Sequence, residues 1–261
     1  MTKFINDIKK YYKYTIYSAK SELKSEVANS HLSWLWWILD PLLFMLVYTF
    51  VFTIVFNKKL DYVAAFVFVG LSLWSFFEKT LKNSVKLVAS NSPIVSKVYI
   101  PKYMLILVKM GVNGFKMFIS FGLVVILMIY YKVPVNPFLL IYIIPILITL
   151  FLLTFGISTL LLHFGVFVED LANLINVALK MVFYFSGVFY SIEINLPENL
   201  SKIAMTYNPL ALLMMDMRNV LLYSAMPHRK LIFIWFLVGL ILSIIGVRTI
   251  YKYENSYIKV I

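Results

Sequence analysis

The sequence predicts an all-α integral membrane protein. It has six transmembrane helices, an amphipathic interfacial helix ahead of them and short re-entrant helices between the fifth and sixth spans. Three observations predict it. The 261-residue chain is 62% hydrophobic and only 14% charged, against about 45–50% apolar residues in soluble domains, and its mean hydropathy is +0.87. Its apolar residues gather into six long stretches, at 34–56, 62–77, 103–131, 138–162, 171–190 and 231–251. Its charges are lopsided, with 24 Lys and Arg against 12 Asp and Glu.

The first 32 residues form the interfacial helix. Phe4, Ile8, Tyr11, Tyr12, Ile16, Ala19 and Leu23 recur at spacings of three and four, with Lys3, Lys9, Lys13, Lys20 and Lys24 mostly elsewhere. Such a helix lies on a membrane surface. It serves as a simple anchor or also touches a cytoplasmic partner. The first apolar stretch begins too far along for an ordinary signal peptide, so no cleavage is expected.

A helix needs about 20 apolar residues to cross a ~30 Å hydrocarbon core. Five stretches meet that length, and the second does so if Glu78 and Lys79 sit at the headgroups. Backbone groups cannot stay unpaired in lipid, so all six must be helical. Little chain remains for a soluble catalytic domain, and the function must be exerted in or through the membrane. No linker or repeat divides the sequence. One domain over 1–261 is the economical reading, with spans one to five in 33–191, an outer segment in 192–230, and the last span and tail in 231–261.

Lysine and arginine set the orientation. The N-terminal segment, the second-to-third loop (Lys79, Lys82, Lys86, Lys97, Lys102) and the tail (Arg248, Lys252, Lys259) carry fourteen between them. The opposite side carries seven: Lys58, Lys59, Lys132, Lys202, Arg218, Arg229 and Lys230. Both termini are therefore expected in the cytoplasm. Within the outer segment, 210–223 is apolar yet too short to span and carries Asp216 and Arg218, while Pro197 and Pro209 break the chain. These are two short helices dipping into the outer leaflet, or an ordinary surface pair.

Several chemistries are excluded or find no support. There is no Cys, hence no disulfide and no thiol chemistry. No P-loop occurs, since the glycines and lysine at 111–116 have the wrong spacing. His31, His163 and His228 lack partners at metal spacing, so no metal site is expected. Glu169 and Asp170 read as helix-start charges rather than an acid–base pair, so no catalytic residue is named. The basic excess suits anionic headgroups, and nothing points to nucleic acid.

Polar residues inside apolar stretches are the functional leads, because they are costly in lipid. Lys109, Asn113, Lys116 and Ser120 share one face of the third span. Asn173, Asn176, Lys180, Tyr184 and Gly187 share one face of the fifth. They line a wet path for a bulky, hydroxylated or anionic substrate, with Tyr190 farther along. Otherwise Lys109 snorkels to the interface and the amides join helices. Trp34, Trp36, Trp37, Trp74 and Trp235 lie near span ends, as an interfacial belt requires; rings facing a path could also stack on sugars.

Taken in order, five segments resemble one family, the ABC-2 type permeases that export polysaccharide, teichoic acid and O-antigen. They are 22–43 (ELKSEVANSHLSWLWWILDPLL), 97–107 (KVYIPKYMLIL), 166–171 (VFVEDL), the run from FSGVFYSIEINLPENL through YNPL to Arg218, and the closing GVRTIYKYENSYI. Glu169 stands where the family's motif carries Arg, and the usual second Pro is absent near Ile106. The resemblance implies a homodimer in the bacterial or archaeal cytoplasmic (inner) membrane, serving cell-envelope biogenesis. It implies two P-loop ATPase subunits that bind ATP and Mg, so this chain is no enzyme and holds no cofactor. A lipid-linked glycan would pass at the dimer interface. Lys97, Tyr99, Pro101 and Lys102 would couple to the ATPase, and Pro197, Asn208, Pro209 and Arg218 would form an outer gate. The runner-up is an exporter of a drug or lipid. A membrane glycosyltransferase or flippase-like enzyme would need a carboxylate site that the sequence does not offer.

Overall fold

The computed structural model describes residues 2–28, 33–55 and 61–260, which hold helices and no strand. His31, Lys58 and Lys59 lie outside them. The helices in chain order are α1 (Thr2–Ala28), α2 (Trp36–Phe50), α3 (Val63–Val85), α4 (Leu87–Ser90), α5 (Ser92–Val95), α6 (Lys102–Tyr130), α7 (Ile143–Phe167), α8 (Leu171–Phe185), α9 (Ile192–Asn195), α10 (Glu198–Tyr207), α11 (Pro209–Leu221) and α12 (Arg229–Val260). Four helical segments are long and apolar enough to cross a membrane: Val63–Val85, Lys102–Tyr130, Leu140–Phe167 and Arg229–Tyr257. Two apolar helices are shorter, α2 and α8. The chain is thus a multi-pass helical membrane protein. α2 runs on into a π-helical turn, Val51–Val55.

α8 ends five residues before the apolar stretch does. Gly187 takes φ +64°, a conformation that glycine alone adopts without steric cost. A Cβ there would sit 2.7 Å from Ile192 Cγ1 and 2.9 Å from Tyr190 O. The helix breaks, and the chain turns into α9.

α3 is the central helix. Its residues Ala65 to Val69 are fully buried, and it packs on α2, α6, α7, α8 and α11. The broadest pairing joins α7 to α12. Small residues make the seam, as in many membrane helix pairs. A Cβ on Gly156 would come 2.7 Å from Leu242 Cβ, and one on Gly246 would strike the Thr159 hydroxyl. Thr159 spends that hydroxyl on Gly156 O, 2.7 Å away.

α1 lies along α6, with Phe4, Ile8, Tyr11 and Tyr14 packed on the core. Tyr12 and Ile16, expected on the same apolar stripe, instead stay half exposed beside Ile5. The reason is angular. The stripe is wider than the α6 contact, so its flank remains uncovered next to Lys9, Lys13 and Lys20. Trp74 also departs from the belt expectation. α3 continues to Val85, which puts Trp74 mid-helix and buried, with its indole N–H donating to Glu78 Oε2 at 2.7 Å.

The α7–α12 seam gives a direct test. Gly246→Leu forces a side chain into Thr159, and overpacking of this kind costs about 1–3 kcal/mol. A lowered unfolding temperature of the detergent-solubilised protein is expected. An exposed control such as Ile245→Ala should leave it nearly unchanged.

Candidate functional site

α2, α3, α6 and α8 border a cavity of about 810 Å³. Its wall brings together much of the two polar stripes: Asn113, Lys116 and Ser120 from α6, and Lys180 and Tyr184 from α8. α2 and α3 add Asp40, Glu78 and Lys79, with Trp36, Trp37, Phe44, Tyr48 and Trp74 supplying aromatic surface. Glu26, at the end of α1, also reaches the wall. Lys109, Asn176 and Tyr190 do not. Asn176 is exposed on α8, and the Tyr190 hydroxyl donates to Tyr184 O at 2.9 Å.

The lysines of α6 meet carboxylates that the sequence reading passed over. Lys109 pairs with Glu22 of α1 beside a second, smaller cavity of about 270 Å³. Lys116 Nζ lies 2.6 and 2.8 Å from the two carboxylate oxygens of Glu26. Glu22 and Glu26 are four apart, so one face of α1 presents both to α6. Asn113 is buried and donates to Thr80 Oγ1 at 3.0 Å. Lys79 lies 3.8 Å from Asp40. Glu78 takes hydrogen bonds from Lys82 and Trp74. Lys180 has no ion pair among the described residues.

The segment expected to couple to a partner is divided, with Pro101 and Lys102 buried and Lys97 and Tyr99 exposed. Lys102 is fully buried, 3.5 Å from Glu254 of α12. This is an ion pair without hydrogen-bond geometry, since neither Lys102 Nζ nor Glu254 Oε1 has a hydrogen-bond partner. Tyr99 donates to the other Glu254 oxygen at 3.0 Å and accepts from Tyr11 through its backbone carbonyl at 3.1 Å. Burial, then the Glu254 charge, pushes the Tyr99 hydroxyl up to about 12. Pro101 is buried at the head of α6. Lys97 is exposed, as are Pro93, Ile94 and Val98 around it. A neighbouring cluster ties α1 to α6 and α12: Asp7 accepts from Tyr251 at 2.5 Å and Tyr103 at 3.2 Å. The sequence signal missed here was a carboxylate surrounded by lysines on each of α1 and α12.

At the other end of the bundle, α11 is buried along its whole length against α3, α7, α10 and α12. Pro197 and Asn208 stand at the heads of α10 and α11. The Asn208 side-chain oxygen accepts from Leu210 N and Ala211 N, at 3.1 and 3.2 Å. Its amide donates to Ser186 Oγ at 3.0 Å. Pro209 takes the first helical position, where a missing N–H costs nothing. Arg218 is 1% exposed. Its guanidinium donates to Phe66 O, Gly187 O and Val188 O at 3.1, 2.9 and 2.7 Å, and it stacks 3.6 Å from the Phe66 ring centre. No carboxylate pairs with it among the described residues. Asp216, two residues earlier on the same helix, instead holds His228. The His228 backbone N–H and ring Nδ1 lie 3.1 and 2.8 Å from Asp216 Oδ1.

Among the described residues no three His, Asp or Glu side chains group as a metal site. Glu169 and Asp170 are both exposed, with Asp170 at the head of α8. The His163 ring lies 2.8 Å from the Tyr257 hydroxyl. The cavity wall therefore offers cationic and aromatic groups side by side.

No family model matches the chain. Known proteins do. One O-antigen export system permease protein RfbA of Klebsiella pneumoniae is 25% identical over 242 residues, covering 92% of each chain. A second from the same organism is 27% identical over 92% of each. The protein of that name from Myxococcus xanthus is 24% identical over 88% of each. The export-permease resemblance holds across nearly the whole chain. For a chain resembling such permeases, the cavity is the site to examine first, because the polar stripes meet there.

The His228–Asp216 pair yields a pH prediction. The hydrogen bond to Asp216 raises the His228 value above its ordinary 6.5, against the effect of burial. Stability from this pair is fully present below 6.5 and is lost as pH rises through the raised value. His228→Gln should flatten that dependence. Thermal unfolding of the two proteins should differ most at acid pH and converge as the pH climbs. Parallel curves at every pH would remove the pair from the account.

Proposed function

We propose that this chain is the membrane permease subunit of an ABC exporter for a cell-surface polysaccharide of the O-antigen type. The observation that carries the reading is similarity to O-antigen export permeases over about nine-tenths of the chain and of each relative. The cavity supports it with both wall types a phosphorylated glycan needs: lysines for anionic groups and aromatic rings for sugar faces. None of the three relatives is named for drug or lipid export, so the polymer reading is preferred.

The finer assembly belongs to the same proposal. Two copies of the chain work with two copies of a P-loop ATPase, which binds ATP and Mg. The substrate is a lipid-linked glycan. The subunit sits in the cytoplasmic membrane with both termini inside. α2 with its π-helical turn covers twenty residues, about the length a span needs. α8 with the chain beyond its break supplies the sixth crossing, and α10 and α11 re-enter from the outer side. The cavity wall at Lys116 and Lys180 is the substrate path, and the exposed surface around Lys97 meets the ATPase.

Deleting the gene should abolish the exported polymer and accumulate its precursor inside the cell. A plasmid carrying Lys180→Ala should restore assembly but only partial export, read by surface polysaccharide analysis. Unchanged surface polymer in the deletion strain would sink the reading.

The coupling surface separates two lysines that look alike in sequence. Lys97→Glu should preserve thermal stability and weaken stimulation of the co-purified ATPase. Lys102→Glu should instead damage folding, since breaking a buried ion pair costs about 3–5 kcal/mol. Equal ATPase stimulation by wild type and Lys97→Glu in proteoliposomes would remove Lys97 from the coupling surface.

A further inference from the structure

The cavity's ion pairs point to an exchange that goes beyond a passive wall. Three cations line it: Lys79, Lys116 and Lys180. Lys79 has Asp40 as a neighbour, and Lys116 has Glu26. Glu78 is satisfied by Lys82 and Trp74. Lys180 alone has no internal carboxylate among the described residues, and it is exposed to the space that Lys116 also lines. The first anion to enter therefore finds Lys180 open and Lys116 occupied by a protein carboxylate.

That carboxylate is held weakly. The Lys116 and Glu26 side chains retain 23% and 36% of their exposure, and partly exposed pairs contribute little because water competes for both charges. Glu26 also belongs to a different helix from every other wall residue. It sits two residues before the end of α1, so losing its pair frees the end of that helix. Four residues earlier, Glu22 holds Lys109 at a separate, smaller cavity. An anion bound at Lys116 and Lys180 leaves that second tether in place. The release is local to the final turn of α1.

We propose that Lys180 and Lys116 form a phosphoryl-binding subsite in which Glu26 is a displaceable internal counter-ion, so that cargo binding unlatches the end of α1 from α6. The subsite rests on the proposed path through this cavity; the exchange with Glu26 is additional to it. Lysine suits the task, since its ammonium binds phosphate as a point charge without demanding a fixed planar geometry. The aromatic and apolar wall beside it suits a phosphoryl group carried on a hydrocarbon chain. The N-terminal helix would then report occupancy of the cavity to whatever it contacts.

The full chain in phosphatidylcholine nanodiscs provides the test. The probes are dodecyl phosphate, dodecanol, inorganic phosphate and phosphatidylglycerol, which separate a phosphorylated carrier from free phosphate and from bilayer headgroups. Dodecyl phosphate should bind, and Lys180→Gln should weaken it. Glu26→Gln should tighten it by up to about fivefold, the most an exposed pair of this kind can withhold. Glu22→Gln should leave affinity unchanged. On binding, amide hydrogen exchange across residues 22–28 should accelerate with dodecyl phosphate and not with dodecanol. Equal or weaker binding by Glu26→Gln, or no change in exchange on binding, overturns the counter-ion role while leaving the path intact. Binding indifferent to Lys180 overturns the subsite and the path together. Equal effects from inorganic phosphate or phosphatidylglycerol would transfer the subsite to that source and overturn the cargo assignment.

Discussion

An interrupted helix inside an apolar bundle leaves carbonyl oxygens that must find donors, and this requirement fixes one whole end of the molecule. α8 stops at Phe185, and Gly187 turns the chain. The carbonyls of Gly187 and Val188 are then taken by Arg218, while Asn208 reaches Ser186. A buried acceptor left alone costs roughly 1–3 kcal/mol, so the donors cannot be optional. Arg218 must lie within reach of the break, and α11, which carries it, must lie inside the bundle. Its neighbours Leu212, Leu213, Met217 and Val220 are fully buried as a result. Gly70 follows from the same demand, because a Cβ there would collide with the Arg218 guanidinium. The break, the arginine, the inserted helix and the missing side chain are one solution to one accounting problem.

Charge is handled by a parallel rule with a different outcome. In an apolar surround, an isolated ammonium is expensive, and four lysines of the bundle are met by a carboxylate from another helix. Glu22 and Glu26 of α1 serve α6, Glu254 of α12 serves Lys102, and Asp40 of α2 stands near Lys79. Pairing a cation on one helix with an anion on another also fixes their register. α1 is therefore attached along its first half by its apolar face and the Asp7 hydrogen bonds, and along its last turns by ion pairs.

Long apolar runs made the helices legible in the sequence, because lipid permits no other backbone. α6, α7 and α12 fall close to the stretches at 103–131, 138–162 and 231–251. The fifth stretch misled at its end: hydropathy reads Ser186 to Tyr190 as helix-like, whereas the Gly187 conformation depends on Arg218, thirty-one residues away. The polar stripes were legible from spacing, and Asn113, Lys116, Ser120, Lys180 and Tyr184 do share one cavity. Lys109 lies outside it, about 10 Å along α6 from Lys116, beside the smaller cavity. Lys102 looked like a loop cation because its neighbours are basic. Only the return of α12 to the same place, with Glu254, makes it a buried one.

The walls of the cavity are not equally held. α2 and α8 each bury a single residue completely, Met45 and Leu179, whereas α3 and α6 bury long runs. Leu43, Phe44, Val47 and Phe50 on α2 and Val177, Met181 and Phe185 on α8 stay exposed, a surface that lipid or a second copy must cover. α7 and α12 instead pack through their glycine seam, where displacement would break close backbone packing. Segments with few buried contacts move at lower cost than densely packed ones. Widening the cavity therefore costs least where α2 and α8 meet its edge, near the stacked Tyr48 and Phe189 rings at 3.7 Å. On the proposed path, a bulky substrate would be accommodated by moving those two helices. The clamp at Arg218 limits how far α8 can go, since pulling its end away would strip the freed carbonyls of their donors.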